Sequence, residues 1–387
     1  MARKLRMGMV GGGRGAFIGA VHRMAAQLDG AVELVCGAFS SEPERSRMSG
    51  RDLLLAEERV YDSYDEMFER EKTLGENERM DFVAIVTPNH EHYPPAKLAM
   101  EAGFAVMCDK PLCVSLEEAR DMAALVEDSG QLFGLTHNYS GYPMVKEAKT
   151  RIASGELGAI RRVVVEYPQG WLASRLEATG QKQAAWRLDP ARAGASCCLG
   201  DIGTHAAHLC EYVTGLRIER VAADLTTFVE GRPLEDDASI LMRLSGGARG
   251  VLWASQIAID EENGLNIRVY GEKAGLEWRQ EEPNTLLLKW PDRPREIVRT
   301  GVNYGRLSPE AIHASRLPAG HPEGFIGAFA NLYRNFAGAL SARLEGREPN
   351  AMELDFPTVQ DGLRGMAFIE ASIESSKADG KWTRIST

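Results

Sequence analysis

Three residues of this chain have the types and setting that acid–base chemistry needs: Lys110, Asp201 and His205. Asp201 and His205 are four apart at the start of a helical pattern, so their side chains share a face. His205 is the candidate proton carrier, because an unperturbed imidazole titrates nearest neutrality. Asp201 can orient that imidazole or bind a neighbouring substrate hydroxyl; Gly200-Asp201-Ile202-Gly203 also fits a plain helix N-cap. Lys110 precedes Pro111 at the end of an apolar run, which favours extended backbone. Its ammonium can polarise an oxygen, or take a proton itself if burial strips its charge; read alone, it is a solvated loop lysine. Asp201, His205 and His208 can also be read as metal ligands, but no strong ligand outside the helix joins them, so no metal is assigned. Cys197 and Cys198, just ahead of Asp201, read as small buried residues rather than nucleophiles.

A second kind of chemistry lies near the N-terminus. A strand-like run over 5–10 leads into Gly11-Gly12-Gly13-Arg14-Gly15-Ala16-Phe17-Ile18-Gly19 and then a helical pattern. Glycines at such a turn let the backbone approach a pyrophosphate, and the helix start offers free N–H groups. Gly11, Gly13, Arg14, Gly15, Ala16 and Phe17 are therefore the candidate phosphate-loop residues. Gly11-x-Gly13-x-x-Ala16 fits the tolerant dinucleotide fingerprint; counting back from Gly19 instead implies a shift or an insertion. After the second strand the chain reads Ala38-Phe39-Ser40-Ser41-Glu42, without an obvious acid for a ribose 2′-OH. Ser40, Ser41 and Arg45 are candidates there, Arg45 favouring a 2′-phosphate and Glu42 a 2′-OH, so NAD and NADP both stay open. The same residues also fit a simple helix start.

The elements that must position these residues fall into two groups. Strand and helix patterns alternate over residues 5–136, with strands at 5–10, 32–38, 82–86, 104–108 and 132–136 and helices at 16–28, 43–56, 93–102 and 115–128. Apolar strands alternating with helices predict a doubly wound parallel sheet covered on both faces, the Rossmann arrangement. Ser115-x-x-Glu118 reads as a capping box. Beyond, a helix over 144–154, a strand over 161–167, a loop-rich stretch over 168–199 and a helix over 202–214 precede seven strand patterns between 220 and 299, which predicts a mainly antiparallel sheet. Helices over 322–344 and 357–377 close the chain. The expected division is 1–137 and 138–387, the whole being α/β.

Composition excludes several functions. The chain has 387 residues, with 45 Lys plus Arg against 55 Asp plus Glu, a net charge of −10. That surface does not suit a nucleic acid. No apolar run reaches the roughly 18 residues of a membrane span, and the N-terminal stretch is too short and Gly-rich for a signal peptide. Six scattered cysteines without C-x-x-C spacing suit reduced thiols in the cytoplasm.

Two further loops follow strand ends, where ligands bind in open α/β sheets: Thr87-Pro88-Asn89-His90-Glu91-His92 and Asp109-Lys110-Pro111. With Asp201-x-x-x-His205 they make the sequence resemble the glucose–fructose oxidoreductase / inositol dehydrogenase / rhizopine catabolism (Gfo/Idh/MocA) family, which carries a T-P-N-x-x-H loop, a Glu-Lys-Pro strand end and a D-x-x-x-H motif in that order. The departures are the irregular glycine loop and Asp109 where the family has Glu. The resemblance implies an NAD(P)-dependent oxidoreductase acting on a secondary hydroxyl of a sugar or cyclitol. It implies an N-terminal Rossmann domain and a C-terminal α/β domain whose open sheet serves a homo-oligomer, dimer or tetramer. Thr87, Pro88, Asn89, His92, Asp109 and Lys110 are then expected at the cofactor, and Lys110, Asp201 and His205 at the reacting carbinol, with Lys110 or His205 as proton carrier.

Candidate substrate residues are Lys110, Asp201, His205, Asn138 and Tyr139 after the last parallel strand, and Trp171, Trp186 and Arg187 in the long loop. Aromatic faces cover the C–H faces of sugars, and Arg and Asn bind hydroxyls; each aromatic equally fits core packing. The segments from Ala185 to His205 and from Gly301 through Tyr304 to Gly324 are similar to members that oxidise a pyranoside at C3. His313 and His321 in that loop read as ordinary surface histidines. Two alternatives use the same motifs: an NAD-dependent glycoside hydrolase or lyase that oxidises C3 transiently, and a non-catalytic nucleotide-binding protein.

Overall fold

The computed structural model describes residues 3–303 and 305–387. Its strands are β1 Leu5–Gly11, β2 Val32–Ala38, β3 Phe82–Val86, β4 Ala105–Cys108, β5 Phe133–Leu135, β6 Ile160–Pro168, β7 Ile218–Thr226, β8 Asp237–Leu244, β9 Arg249–Ser255, β10 Asn266–Gly271, β11 Gly275–Arg279, β12 Thr285–Lys289, β13 Glu296–Arg299 and β14 Thr383–Arg384. Its helices are α1 Phe17–Gln27, α2 Pro43–Asp52, α3 Tyr64–Glu71, α4 Tyr93–Glu101, α5 Leu116–Ser129, α6 Pro143–Ala153, α7 Lys182–Arg187, α8 Pro190–Ala193, α9 Thr204–Thr214, α10 Pro309–His313, α11 Phe325–Leu344 and α12 Val359–Lys377.

The first unit comprises Met1–Cys113, Glu117–Asn138 and Phe329–Leu363. Its five strands run parallel in the order β2-β1-β3-β4-β5. Order reverses beside β1, and this topological switch is where an open α/β sheet binds ligands, at the strand carboxyl ends. Strands β3 and β4 are buried along their whole length, which explains their unbroken apolar sequence. The return of Phe329–Leu363 is absent from a simple division at 137/138. Its cause is aromatic packing: Phe336 of α11 lies 5.2 Å from Phe82 and 5.6 Å from Phe356, and the Leu135 N–H donates to the Pro357 carbonyl at 2.8 Å. Helix α3, with no apolar alternation at its polar surface, was not evident in the pattern; it buries only Met67, Phe68 and Glu71.

The second unit comprises Val114–Leu116, Tyr139–Ala328 and Arg364–Thr387. Its nine strands follow the order β13-β12-β11-β10-β6-β9-β8-β7-β14. All pairings are antiparallel except β6 with β9, so the sheet is mixed but mainly antiparallel. The stretch between β6 and α9 is less loop-like than its composition suggests. It holds α7 and α8, and buries Leu172, Ala184, Leu188, Ala193 and Cys197 in a small core completed by Leu234 from the β7–β8 connection. The six cysteines are buried. Among the described residues no helix is long and apolar enough to cross a membrane.

Candidate active site

Strand β1 delivers the chain into the glycine turn, and the backbone there resolves the fingerprint's register. Gly12 and Gly19 pack backbone to backbone: a Cβ on Gly19 would stand 2.4 Å from the Gly12 Cα. Gly19, on α1, is thus the glycine that lets helix and strand approach, and the chain between Gly13 and α1 is longer than the standard spacing. Gly15 carries φ +79° in open space, and Phe17 is 70 % exposed. Ala16 precedes α1, no side chain caps that helix, and its first turn holds no acidic residue. The turn therefore fits a pyrophosphate: a run of glycines, interrupted by Arg14 whose guanidinium bonds Asp52, leads to an uncapped helix start.

The two arginines expected near phosphate are both paired with carboxylates. Arg14 Nη2 donates to Asp52 Oδ1 at 2.6 Å, and Arg45 Nη1 to Glu42 Oε1 at 3.3 Å. The Ser40 hydroxyl accepts from the Glu42 N–H at 3.1 Å, closing the turn that starts α2, and Ser41 is exposed beside it.

At the end of β3, Thr87-Pro88-Asn89 turns through a short 3-10 segment, Asn89–Glu91, closed by the Thr87 hydroxyl on the Glu91 carbonyl at 2.6 Å. Asn89 and His92 are buried. The His92 ring lies between two carbonyls, Nδ1 at 2.7 Å from Pro111 O and Nε2 at 2.9 Å from Thr87 O. A neutral imidazole carries one N–H, so it donates to one of these carbonyls and lies against the other; the contact with Pro111 ties the β3 loop to the β4 loop. Burial holds its imidazole below the ordinary value, against the opposing pull of Asp109 and of these carbonyls.

Lys110 follows β4, and its peptide bond to Pro111 is cis. Behind it, Asp109 Oδ1 accepts from the Lys110 N–H at 3.0 Å and from the Thr136 hydroxyl at 2.7 Å. Burial alone would raise the Asp109 carboxyl. The His22 ring, the Lys110 charge and the Thr136 hydroxyl outweigh it and hold the group well below the usual carboxylate range. Asn138, after β5, is 2 % exposed, and its Nδ2 has no hydrogen-bond partner among the described residues. A buried amide donor in that state suits a bound ligand.

In the second unit Asp201 lies within a π-helical turn, Leu199–Gly203, that runs into α9 and His205. The N-cap position of α9 is held by Gly203 rather than Asp201. Asp201 Oδ2 accepts from Arg187 Nε at 3.0 Å and from Gln256 Nε2 at 2.9 Å. Arg187 stacks over Trp186, 4.3 Å from the ring centre, and lies 5.9 Å from that of Trp171. His205 is 5 % exposed and packs edge-on against Tyr139 at 4.8 Å, with Tyr167 at 6.3 Å. The Tyr139 and Tyr167 hydroxyls bond each other and Asn263, whose Oδ1 also accepts from Gln169 Nε2 at 2.8 Å; Gln169 Oε1 in turn accepts from Trp171 Nε1 at 3.1 Å. Burial pushes both phenols up, so they serve as neutral hydrogen-bonding groups rather than bases. His208 stacks on Tyr212 at 5.8 Å, and among the described residues no group of three His, Cys, Asp or Glu is placed to hold a metal. Tyr304 lies outside the described residues.

Gln256, Asn263, Tyr167 and Gln169 had no motif to mark them; position was the signal available, with Tyr167 at the end of β6, Gln169 and Gln256 directly after strands, and Asn263 in the loop ahead of β10. Thr136 similarly follows the carboxyl end of β5.

Residues 5–137 match the model of the oxidoreductase family's NAD-binding Rossmann-fold domain, and residues 145–277 match that of the GFO/IDH/MocA C-terminal domain. The chain belongs to the Gfo/Idh/MocA oxidoreductase family. Among its members, the uncharacterised oxidoreductase YfiI of Bacillus subtilis is 35 % identical over 388 residues, covering 99 % of this chain and 97 % of that one. An inositol dehydrogenase homologue from Azotobacter vinelandii, solved with NAD+, superposes with a TM-score of 0.93 at 38 % identity, covering 99 % of this chain and 98 % of that one. A second structure of that homologue, with NADH and myo-inositol, gives a TM-score of 0.91 at 37 % identity with the same coverage. Levoglucosan dehydrogenase of Pseudarthrobacter phenanthrenivorans is 26 % identical over 308 residues, 73 % of this chain and 76 % of that one. As a Gfo/Idh/MocA member the chain is an oxidoreductase with an NAD-binding Rossmann domain.

Proposed function

We propose that this protein moves a hydride between a nicotinamide cofactor and a secondary hydroxyl of a sugar, glycoside or cyclitol, C3 of a pyranoside included. The anchored carboxylate carries the reading. Asp201 is gripped on one oxygen by Arg187 and Gln256, and this geometry suits a group that must meet a substrate hydroxyl in one orientation. The relatives named above, acting on or binding a cyclitol and an anhydrosugar, support the substrate class.

Bound nicotinamide supplies the acceptor or donor of the hydride. His205 takes the hydroxyl proton in oxidation and returns it in reduction, its ring held against Tyr139. The Lys110 ammonium orients the hydroxyl and stabilises negative charge developing on its oxygen, and Asp201 aligns the imidazole or a neighbouring hydroxyl. His92 serves by fixing the two loops it bridges, and the orphaned Asn138 amide donates to the ligand. The glycine turn, with Thr87, Pro88 and Asn89, receives the dinucleotide. NAD is the preferred form, because Asp52 and Glu42 neutralise the arginines that a 2′-phosphate would need.

Residues 1–137 thus bind cofactor, and 138–387 carry substrate binding and oligomerisation. The nine-stranded sheet exposes Leu241, Tyr270 and Ile297, which suits burial in a homo-oligomer; light scattering checks this. The deciding experiment screens inositols and glycosides with both cofactors by nicotinamide absorbance. Product formed in step with cofactor turnover is expected. Product formed with no net change in cofactor would refute the reading in favour of a lyase-like cycle.

A further inference from the structure

His22, on α1, is fully buried, yet it belongs to no role assigned so far. Its Nδ1 lies 2.8 Å from the hydroxyl of Tyr333, itself 1 % exposed. That is the one hydrogen bond the Tyr333 hydroxyl makes among the described residues. A buried phenol has to donate its proton to something, and among the described residues the acceptor offered is His22 Nδ1. Nδ1 is therefore unprotonated, and a neutral imidazole then carries its hydrogen on Nε2. That nitrogen is buried, has no hydrogen-bond partner among the described residues, and faces Asp109 Oδ1 at 3.8 Å. The distance is too long for a hydrogen bond but close enough for an N–H dipole to favour a carboxylate in a poorly screened interior. Asp109 Oδ1 is the oxygen that receives the Lys110 N–H and the Thr136 hydroxyl. A run of oriented polar groups thus ends at the backbone of the lysine. Packing alone does not require a nitrogen there: the ring sits 5.2 Å from Phe329 and edge-on to Tyr333, contacts that a phenyl ring makes equally well.

We infer that His22, fixed in one tautomer by Tyr333, is a positioning residue for hydride transfer: its Nε2–H holds the Asp109 carboxylate that in turn sets Lys110. The inference rests on the role given to Lys110 above. It extends to Tyr333, which acts only through the imidazole.

The test uses the whole 387-residue chain and four variants, Lys110→Ala among them. His22→Phe keeps the ring and removes both nitrogens; His22→Gln restores an N–H near the position of Nε2; Tyr333→Phe removes the donor that fixes the tautomer. A dipole contact beyond hydrogen-bond length contributes less than the roughly 1.5 kcal/mol, about tenfold in rate, of a hydrogen bond to a charged group, so kcat should fall by about 5- to 10-fold in His22→Phe. KM and the cofactor dissociation constant, read by tryptophan fluorescence, should stay within about 3-fold, the pattern of a lost transition-state interaction. His22→Gln should recover most of the rate. Nitrogen-15 imidazole spectra of the cofactor-free protein should assign His22 as the Nε2–H form, and Tyr333→Phe should disturb that signal. A kcat in His22→Phe within about 2-fold of wild type overturns the inference, as does an Nδ1–H signal or a loss that Gln fails to rescue. If His22→Phe does not fold, the tautomer signal and the Tyr333→Phe rate decide. Lys110→Ala separates the two levels. An unimpaired Lys110→Ala enzyme overturns the parent reading, whereas a crippled one beside an unimpaired His22→Phe overturns this inference alone.

Discussion

Gln256 gives the sharpest prediction, because it touches the proposed chemistry through one atom. It is fully buried directly after β9, donates to Asp201 Oδ2 at 2.9 Å and accepts from the Cys197 thiol at 3.4 Å. Gln256→Leu keeps the volume and removes both polar ends. A hydrogen bond to a charged group contributes about 1.5–3 kcal/mol, and about 1.4 kcal/mol is a factor of ten in rate. If the bond serves to aim the carboxylate in the transition state, kcat/KM should fall by about 10- to 150-fold. Arg187 remains on the same oxygen, so Asp201 keeps one anchor and the variant should fold; thermal denaturation checks this. Initial rates by nicotinamide absorbance give kcat and KM, and fluorescence titration gives cofactor affinity, which should be unchanged because Gln256 lies outside the Rossmann unit. A kcat/KM within about 3-fold of wild type would refute the reasoning, as would a loss matched by the same loss in cofactor affinity.

Lys110→Ala and His205→Ala should each lose about 100-fold or more in turnover while still binding cofactor, in line with general acid–base contributions of roughly 10²–10⁴. Their double variant should be far less than additively impaired, because the two act on one step; additive losses would separate their roles. NADP should bind more weakly than NAD by about tenfold or more, about 1.4 kcal/mol, and Asp52→Asn with Glu42→Gln should narrow that gap by freeing Arg14 and Arg45; equal affinities in the unaltered protein contradict the assignment. Acid stability should report on Asp109. Its folded carboxyl titrates below its unfolded value, so as pH falls the unfolded chain binds the proton first. Its contribution is therefore present above about pH 4 and is lost in acid. The difference in urea midpoint between wild type and Asp109→Asn should shrink from pH 5 to pH 3, and a constant difference would show that Asp109 is not held in this way.

The parallel sheet and the strand-end loops were legible because both depend on local pattern: β3 and β4 are apolar throughout, and each ends at a residue that the sheet must present at its carboxyl edge. The glycine turn was only half legible. Two registers fit the sequence, and the choice depends on which glycine meets α1, a tertiary contact between Gly12 and Gly19. Asp201 was readable as a residue but not as a geometry. Its carboxylate is placed by Arg187, fourteen residues earlier, and by Gln256, fifty-five later, and neither spacing carries a helical or strand period. The return of α11 to the first unit was invisible for the same reason, since an amphipathic helix does not name the sheet it will cover.

The anchoring of the Asp201 turn follows from one strand register. Strand β8 pairs with β9 so that Asp237 opposes Ser255, which brings Glu235, just before β8, to the same end of the hairpin as Gln256, just after β9. The Gln256 N–H donates to the Asp236 carbonyl at 2.9 Å and keeps the two chain ends together. From that end Glu235 accepts from the Ser196 hydroxyl at 2.5 Å and from the N–H groups of Leu199 at 2.9 Å and Cys197 at 3.3 Å, while Gln256 reaches Asp201. Burial pushes the Glu235 carboxyl up, and those donors pull against it. A buried carboxylate at a helix start is tolerated because it satisfies N–H groups that the widened turn leaves open. A slip of one residue between β8 and β9 would turn Gln256 to the opposite face and remove its hold on Asp201. Alternating burial along both strands, with Ala238, Ile240, Met242, Leu252 and Ala254 inside, sets the register and therefore, two residues further on, the aim of the carboxylate.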